Sequence, residues 1–96
     1  MGRGMTLIDA IRVLYSLPEE ETIYAKPPWV DGSLVIVAPE PPSGGVPTEA
    51  GQLGLTYFLE VGIARDFIDG WRSNLGAKPT LQQTCSRLIQ YAVTDA

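Results

Sequence analysis

Residues 54 to 71 read GLTYFLEVGIARDFIDGW, and their hydrophobic period changes halfway. Leu55, Tyr57 and Leu59 alternate with Thr56, Phe58 and Glu60, the two-residue period of a strand. Ile63, Phe67 and Trp71 then recur at the spacing of one helix face. A strand that runs straight into an amphipathic helix is covered most simply when the helix folds back over it. The reading therefore sets Leu55, Tyr57 and Leu59 against Ile63, Phe67 and Trp71. It takes the joint as scaffold and Trp71 as core.

The flanking segments supply more elements of both kinds. TLIDAIRVLYSLPEEE begins a helix at the N-cap Thr6, with Asp9 near the positive end of its dipole. Leu7, Ile11 and Leu14 fall on one face, and Pro18 ends the helix near Ser16 or Leu17. TIYAKPPWVDGSLVIVA reads as a hairpin with a primed turn at Asp31-Gly32, which needs positive φ at both residues. Pro27 and Pro28 cannot donate to a ladder, so the first hairpin strand is expected at a sheet edge. The second, Leu34 to Ala38, is apolar on both faces.

Residues 39–52, PEPPSGGVPTEAGQ, hold four of the eight prolines and three glycines. This composition predicts a mobile loop without a regular element. A helix is expected from Gly62 to Leu75, with Gly76 as its left-handed cap and Gly70 allowing close packing. Thr80 and Gln83 then make a capping box for a last helix, with Leu81, Cys85, Leu88, Ile89 and Ala92 on its apolar stripe.

The element order is α-β-β-β-α-α. It predicts one α+β domain over residues 1–96, two layers deep. A three-stranded antiparallel sheet carries helices mainly on one face. Residues 1–5 are expected to be a flexible N-terminus or an expression remnant. If Leu34 and Ile36 point inward, then Val35, Val37 and Phe58 form an apolar outer face, a candidate for self-association into a dimer. The proline-rich loop or a crossing helix would be the alternative cover.

Charge and composition limit the chemistry. The 96 residues carry 7 Lys and Arg against 11 Asp and Glu, a formal net charge of -4. That opposes nucleic-acid binding, which needs clustered cations, and favours a basic protein partner or simply solubility. No apolar run approaches the ~18 residues of a membrane span. The N-terminal segment, with Arg12 and Asp9 inside it, does not read as a signal peptide. A single cysteine allows no internal disulfide, so the cytoplasm is the default compartment.

The chain has no histidine, which removes the commonest general base and metal ligand. Cys85 falls on an apolar stripe and reads as a structural thiol. No catalytic residue, metal or cofactor is expected. Glu60, Asp66 and Asp69 form the densest carboxylate group, near Arg65 and Arg72, and read as an acidic edge for a partner. Trp29 is either an exposed anchor for that partner or a plug at the bottom of the core. The competing reading is a small-molecule binder or minor enzyme. Its pocket would lie between sheet and helices, lined by Tyr24, Tyr57 and Tyr91. A structural oligomer subunit is the third reading.

LPEEETIYAKPPW, GLTYFLEV, KPT and QYAVTDA occur in this order along the chain. In that order and separation the sequence resembles a family of small, acidic bacterial proteins classed as a domain of unknown function. The resemblance covers most of residues 6 to 96. It implies a non-enzymatic accessory protein of the immunity or mobile-cassette kind, and brings no catalytic residues with it. The family's segment before GL is often markedly acidic, whereas here it holds only Glu40 and Glu49. If that segment is the family's binding loop, the resemblance implies a partner that differs here.

Overall fold

The computed structural model describes residues 4–94. It begins with β1 (Met5–Thr6), α1 (Leu7–Arg12), a 3-10 turn (Leu14–Ser16), β2 (Thr22–Ala25) and β3 (Leu34–Ala38). There follow α2 (Thr48–Gln52), β4 (Thr56–Glu60), α3 (Val61–Ser73) and α4 (Leu81–Thr94). The strands make one antiparallel sheet in the order β1-β3-β2-β4. The α+β class stands, with one strand and one helix beyond the expected three of each. β1 was missed because two residues carry no period. Residues 1–3 of the expected flexible N-terminus lie outside the described residues, but Met5 pairs with Val35 in the sheet.

β2 and β3 alternate between two cores. Ile23 and Ala25 of β2 join Val35 and Val37 of β3 on the side of α1, α3 and α4. Tyr24, Leu34, Ile36 and Ala38 gather on the other side with Ala50 of α2 and Leu55. The expected facing of β3 is therefore reversed, and Val35, Val37 and Phe58 are not an outer face. Val35 is 0% exposed and Phe58 1%. Apolar residues on both faces of β3 left its orientation unmarked. Phe58 turns inward because the β2–β4 register shifts between Ile23 and Tyr24, pairing Ile23 with Leu59 and Tyr24 with Tyr57. Phe58 is thus the unpaired residue of a bulge, and packs on the same side as Leu59.

The proline-rich segment provides the cover. Residues 48–52 form α2, so the expectation of no regular element there fails. Ala50 lies buried against Tyr24 and Ile36, at the centre of the far face. The turn into β4 uses Gly54 at φ 75°, in the left-handed region that favours glycine.

Other local expectations divide. Thr6 accepts a bond from the Asp9 amide at 3.3 Å and caps α1. At α4 the Thr80 amide donates to Gln83 Oε1 at 2.9 Å and the Gln83 amide to Thr80 Oγ1 at 3.0 Å, a closed capping box. β2 is a central strand, because it ends at Ala25 before the prolines begin. The Ser33 amide bonds to the Val30 carbonyl at 3.0 Å around Asp31-Gly32, but neither central residue has positive φ, so the turn is not of the primed kind. Gly76 is likewise not left-handed, and α3 ends through Asn74 in the right-handed region.

α3 starts without a side-chain cap. Its first amides, of Val61 and Gly62, donate instead to the carbonyls of Glu21 and Glu19 at 2.9 and 3.1 Å. A Cβ on Gly62 would meet Glu19 Cγ at 3.0 Å and the Glu19 carbonyl oxygen at 3.4 Å, so a larger residue here would push the Glu19 side chain aside by a few tenths of an ångström. The acidic turn 19–21 thereby terminates α3 with its backbone. Arg65 completes the seam, donating to the carbonyls of Leu14, Tyr15 and Leu17 at 3.4, 3.0 and 2.7 Å. No helix among the described residues is long and apolar enough to cross a membrane.

Candidate functional site

The residues singled out in the sequence do not converge. Tyr24 is fully buried on the far face of the sheet. Tyr91 packs on the opposite side, with its ring stacked on Phe67 at a centroid distance of 4.1 Å. Tyr57 is 42% exposed on edge strand β4. The sheet itself separates Tyr24 from Tyr91, so the three tyrosines cannot line one pocket between sheet and helices. Burial is the leading cause that raises the phenol pKa of both Tyr24 and Tyr57.

Trp29 is a plug. Its ring meets Phe58 edge-on at 4.8 Å, and its Nε1–H donates to the Ala25 carbonyl at 3.2 Å. The acidic edge is divided. Asp69 accepts from the Tyr15 hydroxyl at 2.5 Å, on the side of the 3-10 turn. Asp66 lines a shallow recess towards α4 with Phe67, Trp71 and Arg87. Glu60 is half-buried and closes the β2–β4 ladder opposite Thr22. Cys85 is buried, and its thiol pKa is pushed up to about 12 by burial first and by Asp31 second. Such a thiol stays protonated and is a poor nucleophile. Among the described residues no group of three His, Cys, Asp or Glu gathers to hold a metal ion.

A further opening lies elsewhere, between the end of α3 and the start of α4. It is an open cleft of about 780 Å³ bounded by Trp71, Leu75, the 76–79 connection and one side of α4. That volume falls within the roughly 300–1,000 Å³ of ligand sites. Its origin is in the helix pattern. The buried residues of α3 are Val61, Ala64 and Ile68, while Ile63 is 38% exposed. The stripe is rotated from the expected Ile63, Phe67 and Trp71. After Ile68 the helix places nothing more in the core, and Gly70 has open space where a Cβ would stand. Gly70 therefore borders a gap instead of a close contact. Trp71, expected in the core, becomes a half-buried wall of the cleft.

The α4 wall presents Gln82, Ser86 and Gln90 at four-residue intervals, with Arg87 beside them. Arg87 is held in place: its guanidinium lies 4.9 Å from the Phe67 ring centroid, and Nη1 donates to Gln90 Oε1 at 3.4 Å. The cleft thus has one large aromatic surface, a polar wall and fixed hydrogen-bonding groups. These are the parts of a recognition site.

No family model, curated protein or solved structure matches this chain.

The fold and the cleft therefore carry the functional reading. Sequence reasoning missed the cleft because Trp71 shares a helical face with Phe67, and period alone does not show where a helix outruns its sheet. One signal was available. Gly70 and Asn74 flank Trp71 on a helix that then meets GAKP, a poor composition for a packed end.

Proposed function

We propose that this chain is a non-enzymatic protein-binding module that holds a segment of a partner protein in the cleft between α3 and α4. The observation that carries the reading is Trp71. A half-buried tryptophan at the wall of a cleft, faced by polar groups of α4, has the composition of a binding hot spot. The alternative residues fit less well. Trp29 is half-buried against the core with its indole N–H engaged by the Ala25 carbonyl, Asp69 is engaged by Tyr15, and the Val35, Val37 and Phe58 set faces the helices.

A random peptide library displayed on phage and selected on the intact chain tests the reading. Selected peptides should lose about tenfold or more in affinity on Trp71→Ala, the cost of a hot-spot truncation. They should bind Tyr57→Ala as they bind the parent. Peptides indifferent to Trp71→Ala, or dependent on Tyr57, would place the recognition surface elsewhere.

A further inference from the structure

Among the described residues, three cations with no carboxylate within 4.0 Å border the cleft at Trp71 and the recess beside it. Among the described residues, carboxylates lie within 4.0 Å of Arg12 and Arg65 only, from Asp9 at 2.7 Å and Glu19 at 4.0 Å. Lys78 and Arg87 line the main cleft, and Arg72 joins Lys78 in the recess that shares residues 75–79 with it. Among the described residues no Asp or Glu lines the main cleft, and Asp66 stands in the adjoining recess that shares Trp71 and Arg87 with it, one acid against the three cations. The chain has 11 acids and 7 bases, so this opening runs against the sign of the whole molecule.

We infer that the occupant of the cleft is an acidic, extended segment of a partner protein, with an apolar side chain laid on Trp71 and carboxylates set at Lys78, Arg87 and Arg72. The inference rests on the cleft reading above and adds the chemistry of the ligand. Charge complementarity selects the sign, because an acid entering here neutralises cations that have no carboxylate within 4.0 Å among the described residues. The shape selects an extended chain. Gln82, Ser86 and Gln90 run along two turns of α4 over about 12 Å, the length of three or four extended residues. Gln82 and Ser86 offer amide and hydroxyl groups along that track, suited to main-chain N–H and C=O. Arg87 is already oriented by Phe67 and Gln90, so its charge is presented with little ordering cost.

Fluorescence anisotropy on the intact chain tests this with labelled synthetic peptides. One is a short run of Asp and Glu around a central Phe. Its companions replace the acids by Asn and Gln, or by Lys. Phenylacetate serves as a small anion in competition. The acidic peptide should bind about tenfold tighter than the amide peptide, with the gap closing as salt is raised. Lys78→Gln, at an exposed loop position, should weaken it about fivefold, the loss of one rim charge. Arg87→Lys should keep part of the affinity that Arg87→Gln loses. Equal, Trp71-dependent binding of all three peptides would overturn the acidic preference and leave the cleft standing. Absence of Trp71-dependent binding by any peptide would overturn the cleft itself. Phenylacetate competing as well per carboxylate as the peptide would reassign the site to a small anion.

Discussion

The Tyr15 hydroxyl donates to the Asp69 carboxylate across 54 residues of sequence. This bond ties the 3-10 turn to α3 on the flank where Arg65 grips three carbonyls of the same turn. Arg65 also lies 5.6 Å from the Tyr15 ring centroid. The acidic edge read from the sequence is therefore half scaffold. Arg65→Ala should cost about 2 kcal/mol, because it leaves carbonyls that the guanidinium had served. Arg65→Lys should recover less than half, since an ammonium cannot reproduce the planar fork. Urea unfolding of the two variants checks both figures.

The Tyr24 hydroxyl is buried beneath α2 and makes no hydrogen bond among the described residues, Thr22 being the side chain near enough to influence it. An unserved buried hydroxyl costs about 1–3 kcal/mol. Tyr24→Phe keeps the ring and removes that cost. The variant should unfold at a higher urea midpoint than the parent. A lower midpoint would mean that an ordered water serves the hydroxyl.

Stability should fall on the alkaline side. The Cys85 thiol is raised from its ordinary 9.0 to about 12, chiefly by burial. A group whose folded pKa is raised contributes stability that is complete below its unfolded value and lost as pH climbs through the folded one. The loss attributable to Cys85 therefore runs from about pH 9 towards pH 12. Tyr15 and Tyr24 are raised above 10.0 by burial first, and add to the slope at higher pH. Cys85→Ala should start less stable because it leaves a small cavity. Its stability should also decline less steeply above pH 9, which urea titrations at successive pH values will show.

Phe58→Glu separates a buried bulge from a contact surface. Phe58 meets Trp29 edge-on inside the main core. A carboxylate there lacks a partner, and the substitution should cost more than about 4 kcal/mol. Circular dichroism should show lost structure. A folded variant whose molar mass halves in light scattering would restore Phe58 to a self-association face.

Local signals were legible where a few neighbouring residues decide the outcome. Thr6, and Thr80 with Gln83, cap their helices as their side chains predict, because a cap is settled within one turn. Cys85, Leu88 and Ala92 are buried as their spacing requires. The class, α+β with an antiparallel sheet, followed from the change of period. Facing was not legible. β3 is apolar on both sides, and the bulge at Phe58 reverses parity within β4. α2 was hidden because four prolines mask the short run from Thr48 to Gln52. The cleft escaped because its cause is tertiary. Ile68 is the last buried residue of α3, and nothing in the pattern marks it as the last.

The most direct measurement is a proton–nitrogen NMR titration of the intact chain with the acidic peptide, following the two indole N–H signals. Trp29 Nε1–H is bonded to the Ala25 carbonyl inside the fold and serves as the internal reference. The account predicts that the Trp71 indole signal moves, together with the amides of Lys78, Gln82, Ser86 and Arg87, while Trp29 stays in place. A still Trp71, with shifts gathered instead around Leu53 and Tyr57, would contradict it.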